Sequence, residues 1–93
     1  MAEAIHTDFA NLTRSIIEKH IPNKSPRGFI RELNRQYALY RGRDYCLETG
    51  HYWAHGKRKP DYSDLRDIYD HSTGFIREWA LAAMRLEKPE VWG

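Results

Sequence analysis

The stretch SPRGFIRELNRQYALYRG, residues 25–42, carries the start and stop signals of one amphipathic helix. Ser25 is a typical N-cap, Pro26 occupies the first helical position, and Gly42 is a natural C-terminal stop. At 100° per residue, the apolar side chains that share one face are Phe29, Ile30, Leu33, Tyr37 and Tyr40. The stretch therefore predicts a helix that ends near Arg41 and packs one side against a core.

Similar periodicity predicts helices over about residues 8–20 and 45–55, a fourth helix capped by Asp61 or Ser63 and ending near residue 71, and a fifth that begins at Ser72 or Thr73 and ends near residue 87. Thr7 is the expected N-cap of the first of these helices, and Asp44 that of the segment 45–55. Gly50 lies inside that segment and costs about 1 kcal/mol relative to alanine, so a tertiary contact is expected to hold it. No run alternates with period two. We therefore expect an all-α, compact bundle of about five helices that forms a single domain over residues 1–93.

Charge is distributed unevenly along the chain, although the formal net charge is only +2. Residues 14–59 contain eleven Lys and Arg against four Asp and Glu, a net charge of +7. The rest of the chain contains four basic and nine acidic residues, a net charge of −5. Such segregation is typical of a phosphate-binding face. Two solvated faces of opposite sign are the alternative.

Three arginines form a stripe on the helix of residues 25–42. Arg27, Arg31 and Arg35 follow one another at i, i+4 and i+8. The stripe is centred about 150° from the apolar arc by helical geometry. Glu32 is the only carboxylate within the helix that is available to pair with them. The stripe is therefore interpreted as a track for phosphates, with an ordinary solvated helix face as the alternative.

The segment WAHGKRKP, residues 53–60, followed by Leu65 and Ile68, resembles the lambda repressor/Cro (Xre-type) helix-turn-helix family. In that family the recognition helix ends in a Trp-x-x-Gly-Lys-x-x-Pro stretch, and the match covers about residues 49–76. Upstream the chain departs from the pattern at three positions that normally hold a small residue, a turn glycine and a buried aliphatic residue. They are occupied by Tyr40, Asp44 and Gly50. Either an irregular or inserted turn separates the two helices, or another surface meets DNA.

The resemblance implies a divergent helix-turn-helix and a phage or prophage repressor or Cro-like regulator that binds double-stranded operator DNA. Residues 47–55 would enter the major groove, and residues 57–59 would meet the backbone. By their chemistry alone, the side chains that can hydrogen-bond to base edges are those of Glu48, Thr49, His51, Tyr52 and His55, whereas Lys and Arg supply charge. The predicted DNA-binding residues are Arg27, Arg31, Arg35, Arg41, Arg43, Thr49, His51, Tyr52, His55, Lys57, Arg58 and Lys59.

The C-terminal helix, about residues 73–88, has an apolar arc wider than one core contact needs. This width predicts a subunit interface and a homodimer or higher oligomer, with central burial of the helix inside the domain as the alternative. The residues predicted to mediate self-association are Phe75, Ile76, Trp79, Ala83, Leu86 and Trp92.

Other chemistry has little support in the sequence. Cys46, His51 and His55 have ligand-capable side chains, but no fourth ligand stands in a partner motif, so no metal, cofactor or catalytic site is predicted. Without an apolar span or signal segment, the expected location is the cytoplasm. Two other functions remain open: a helical protein-interaction module, such as a phage-encoded inhibitor or adaptor, and an RNA binder. An antirepressor is a further possible partner.

Overall fold

A computed structural model describes residues 6–92 of the chain. This part contains six α-helices joined by loops. The helices are α1 (Thr7–His20), α2 (Pro26–Arg41), α3 (Thr49–Ala54), α4 (Tyr62–His71), α5 (Gly74–Glu87) and α6 (Pro89–Trp92), with a 3-10 turn at Pro22–Lys24. Helical residues account for 77% of the structure, and residues 6–92 contain no strand, so the all-α prediction is confirmed. None of these helices has the length and apolar character needed to span a bilayer.

Helix α2 has the limits that its sequence predicts. The Ser25 hydroxyl accepts a hydrogen bond from the backbone N–H of Gly28 at 3.1 Å, which satisfies one of the free donors at the helix start. Gly42 adopts a left-handed φ of 91° and ends the helix. Helix α1 starts one residue earlier than predicted, since Thr7 is its first helical residue and His6 is the cap.

Helix α3 is shorter than predicted. It begins at Thr49 rather than near Tyr45, so Asp44 is not its cap. The side-chain amide of Asn34 explains the difference, because it donates to the Tyr45 carbonyl oxygen at 3.0 Å and accepts from the Tyr45 N–H at 2.8 Å. These bonds occupy both backbone groups of Tyr45 and hold the chain in a loop. The Arg41 guanidinium also lies over the Tyr45 ring, 3.7 Å from its centroid, and this contact stabilises the loop.

The core is organised around Trp79 of α5, which is fully buried. Its indole ring lies 5.0 Å from the ring of Phe29 and 5.4 Å from that of Trp53, measured between centroids. The ring of Phe9 lies 5.8 Å away, so one side chain contacts α1, α2 and α3. The indole N–H donates to the Thr13 hydroxyl at 3.0 Å, which satisfies the only polar group of the Trp79 side chain.

The broad apolar arc of α5 is explained by this central position, which corrects the prediction of a subunit interface. Ile76, Trp79 and Ala83 are buried within their own chain and are not available to a partner. Phe75 stacks on His20 with ring centroids 4.8 Å apart. The indole N–H of Trp92 donates to the hydroxyl of Tyr62, so α6 folds back toward α4. Of the six residues predicted to mediate self-association, only Leu86 is largely exposed. The main argument for self-association through α5 is therefore lost.

Candidate nucleic-acid interface

Helix α3 approaches α2 very closely because residue 50 is glycine. A Cβ atom at Gly50 would lie only 2.3 Å from the carbonyl oxygen of Pro26. Trp53 and Ala54 of the same helix point into the core. The tertiary contact predicted for Gly50 is therefore present. A larger side chain at this position would require the two helices to move apart.

The opposite side of α3 is exposed to solvent. His51, Tyr52 and His55 are all exposed, and Thr49 is half-buried. The two imidazole rings lie nearly parallel, with an interplanar angle of 6° and centroids 6.3 Å apart. Imidazole and phenol groups both donate and accept hydrogen bonds, so this face is chemically suited to polar recognition.

Basic residues surround this face on several sides. The Arg58 guanidinium lies over the Tyr52 ring, 4.7 Å from its centroid. Arg14 of α1 donates from Nη1 to the carbonyl oxygen of Ala54 at 2.8 Å, which brings its charge to the end of α3. Lys24 lies in a surface depression together with Arg14 and His55. We define the α3 face as the exposed residues of α3 together with these flanking cations.

Arg14 and Lys24 are absent from the sequence-predicted set of DNA-binding residues. Both lie within the basic segment 14–59, but neither belongs to the arginine stripe or to the Gly-Lys-x-x-Pro stretch. Their contribution depends on the packing of α1 and the 3-10 turn beside α3, which has no signature in the local sequence. Only the segregation of charge along the chain points toward them.

The arginine stripe of α2 is less free than predicted. Arg27 forms an ion pair with Glu48, which comes from the loop before α3. Arg35 hydrogen-bonds to Glu32, and this bond is the main reason that the pKa of the Glu32 carboxyl lies below its usual value. Among the described residues, Arg31 alone of the three makes no ion pair. The interpretation of three unpaired arginines is therefore wrong for Arg27 and Arg35.

The remaining predicted cations divide between the α3 face and other surfaces. Lys57 is exposed in the loop that follows α3, next to Arg58. Lys59 instead forms an ion pair of 2.8 Å with Glu87 at the end of α5, so its charge is already neutralised. Arg41 is the last residue of α2 and contacts the Tyr45 ring, and Arg43 is exposed in the loop that follows. The structure thus brings together only part of the predicted set.

The connection between α2 and α3 differs from the tight turn of a helix-turn-helix. Seven residues, 42–48, separate the two helices, whereas a helix-turn-helix uses a turn of three or four residues. An irregular, longer turn was one of the two possibilities left open by the sequence. Helix α3 nevertheless packs directly on the start of α2 through Gly50, so the two helices form one unit.

Residues 6–92 contain no group of three or more His, Cys, Asp and Glu side chains arranged to hold a metal ion. Cys46 is exposed in the loop before α3.

No protein-family model, curated protein or solved structure matches this chain. The helix-turn-helix resemblance therefore stays a prediction, and functional inference depends on the α3 face itself.

Proposed function

We propose that this protein is a sequence-specific, duplex-DNA-binding transcriptional regulator of the phage repressor or Cro type, and that α3 is the helix that reads the operator. The observation that carries the proposal is the α3 face. A short helix presents hydrogen-bonding side chains to solvent and has basic groups from three neighbouring segments around it. Operator recognition needs this combination, because base contacts specify the sequence while phosphate contacts position the protein.

The dimensions of α3 suit the major groove. Six helical residues extend about 9 Å at 1.5 Å per residue, and the groove is about 12 Å wide. His51, Tyr52 and His55 are the groups within reach of base edges. Lys57 and Arg58 follow directly in the chain and are suited to the adjacent backbone. The acidic residues of α4 belong to a different helix, which packs mainly on α5.

The proposal is tested by fluorescence anisotropy with a duplex taken from the DNA around the protein's own gene and with a random duplex of equal length. We expect His51→Ala and Tyr52→Ala to reduce discrimination between the two duplexes. Lys57→Ala and Arg58→Ala should weaken binding to both, and each should flatten the log–log salt slope by about 0.9 per lost phosphate contact. Arg66→Ala, which removes an exposed arginine of α4, is the matched control and should leave binding unchanged.

Two results would contradict the proposal. Wild-type protein that binds neither duplex at low salt has no DNA-binding function of this kind. Undiminished discrimination in both α3 variants would remove α3 as the reading helix and direct attention to Arg31. A preference for single-stranded RNA competitor would favour the RNA-binding alternative, in which Tyr52 stacks on an unpaired base.

Pairing of two copies on a palindromic operator is part of the proposal, because such operators are read by two-fold symmetric proteins. The apolar side chains still exposed at the C-terminal end are Leu86 and Val91, which are 49% and 62% exposed. Light scattering of the free protein and of its complex with the operator distinguishes a preformed dimer from two monomers that meet on DNA. A regulator of this type acts in the cytoplasm and has no catalytic step.

A further inference from the structure

A depression of about 320 Å³ lies beside α3, between α1 and the 3-10 turn. We call it the α1–α3 depression. Three side chains with N–H donors line it from three different segments: Arg14, Lys24 and His55. Ile17, Pro26 and Ala54 contribute apolar and backbone surface, and Glu18 is the one carboxylate in its lining.

Arg14 is held in place at the edge of this depression. Its Nη1 donates to the Ala54 carbonyl oxygen at 2.8 Å, and its Nη2 donates to the side-chain oxygen of Asn11. A guanidinium has five N–H donors, so three stay available after these two bonds. Arg14 itself remains exposed to solvent. An arginine oriented in this way loses less conformational entropy on binding an anion than a freely rotating one does.

Lys24 reaches the depression from an unusual backbone conformation. Both Asn23 and Lys24 have left-handed φ angles, of 62° and 52°. Residues other than glycine rarely adopt this region, and such residues concentrate at functional sites. The Lys24 ammonium lies 3.8 Å from Glu18, but both side chains are more than 60% exposed. An exposed pair at this distance is weak, so a stronger anion displaces Glu18 readily.

We propose that the α1–α3 depression binds one phosphate group. Arg14, Lys24 and His55 line it from three segments, and a phosphate offers several acceptor oxygens to such a set of donors. In the DNA complex proposed above, on which this part of the inference rests, the phosphate is one backbone phosphodiester next to α3. The contact fixes the register of α3 in the groove without reading a base.

The test measures free phosphate and DNA separately on the full chain. In the first arm, inorganic phosphate is titrated into ¹⁵N-labelled protein and followed by NMR. We expect the amides of Lys24 and His55 to shift, and we expect Lys24→Gln and Arg14→Gln to weaken the binding at least fivefold. Lys19→Gln, which removes an exposed α1 lysine outside the depression, is the matched control.

The second arm measures the salt dependence of duplex binding with the same variants. Each variant that loses the contact should flatten the log–log slope by about 0.9, and the control should not. Lys24→Gln is the decisive variant, since Arg14→Gln also removes the bond to Ala54 and is checked for folding by circular dichroism.

The outcomes separate the two proposals. Phosphate binding that depends on Lys24, without any duplex binding, supports the depression as a site for a phosphorylated small molecule and overturns only the DNA-binding function. Duplex binding that is unaffected by Lys24→Gln, together with no shift at Lys24 or His55 in phosphate, overturns the phosphate site and leaves the DNA-binding function intact.

Discussion

Gly50 of α3 lies so close to Pro26 of α2 that a Cβ atom at residue 50 would stand 2.3 Å from the Pro26 carbonyl oxygen. This contact is with backbone, which cannot rotate away as a side chain can. Helix α3 therefore has to move if residue 50 acquires a side chain. Gly28 provides a comparison within α2, because the one atom closer than 3.0 Å to a Cβ there would be the Cγ2 methyl of the Ile21 side chain, at 2.8 Å.

Gly50→Ala is expected to destabilise the protein despite the better helix propensity of alanine. Alanine stabilises a helix interior by about 1 kcal/mol relative to glycine. Overpacking costs about 1–3 kcal/mol, and a backbone clash falls at the upper end of that range. Urea denaturation should show a net loss for Gly50→Ala and a smaller change for Gly28→Ala. Equal or greater stability of Gly50→Ala would mean that α3 does not need this close approach.

Thr13→Val is expected to lower the free energy of unfolding by about 1–3 kcal/mol. Valine matches the shape of threonine but leaves the buried indole N–H of Trp79 without its 3.0 Å acceptor. Thr13→Ser keeps the hydroxyl and should retain this hydrogen bond, at the expense of one methyl group. If the valine variant is as stable as wild type in chemical denaturation, the bond contributes nothing measurable.

Trp79→Ala is expected to affect folding rather than association. Removing a fully buried tryptophan costs about 3–5 kcal/mol. Trp92→Ala should cost less, because the Trp92 side chain is only half-buried. Thermal denaturation and light scattering of both variants distinguish the two roles. A Trp79→Ala protein that keeps the wild-type melting temperature but loses an oligomeric state would restore the subunit interface that the sequence predicts.

Stability should decline in alkaline solution because of Tyr37. Burial raises the pKa of Tyr37 to about 12 from 10, with further contributions from Tyr45, Asp67 and Asp64. A phenol whose pKa is higher in the folded state favours folding while it is protonated. Its contribution is complete below pH 10 and is lost as the pH rises through about 12.

Tyr37→Phe tests this dependence. The free energy of unfolding of wild type should fall more steeply between pH 10 and about 12 than that of the variant, as measured in urea. Tyr52→Phe is the control, because Tyr52 is exposed on α3 and is not among the groups that raise the pKa of Tyr37. Parallel pH profiles for wild type and Tyr37→Phe would show that another group governs alkaline unfolding.

Much of the architecture follows from local sequence signals. Ser25, Pro26 and Gly42 predict the limits of α2 correctly because capping depends on residues within one turn of the helix end. The start and the cap predicted for α3 were wrong for a different reason. Asn34 binds the Tyr45 backbone across eleven residues of chain, and no local pattern at Tyr45 reports such a partner.

The candidate site, too, was predicted partly by local sequence signals and partly depends on tertiary contacts. Sequence alone identified the basic segment and the exposed polar residues of α3, because charge segregation and helical periodicity are properties of the chain itself. Only the tertiary structure decided which cations are free. Glu48 and Glu87 neutralise Arg27 and Lys59 from 21 and 28 residues away, and Arg14 reaches α3 from 40 residues away.

The apolar arc of α5 shows most clearly which features follow from the sequence and which depend on tertiary packing. Periodicity determined that Ile76, Trp79 and Ala83 must be buried, since the hydrophobic effect depends on the apolar area removed from water. That effect is non-directional, so the same arc is satisfied by a second subunit or by the helices of its own chain. The packing of α1, α2 and α3 around Trp79 decided between them.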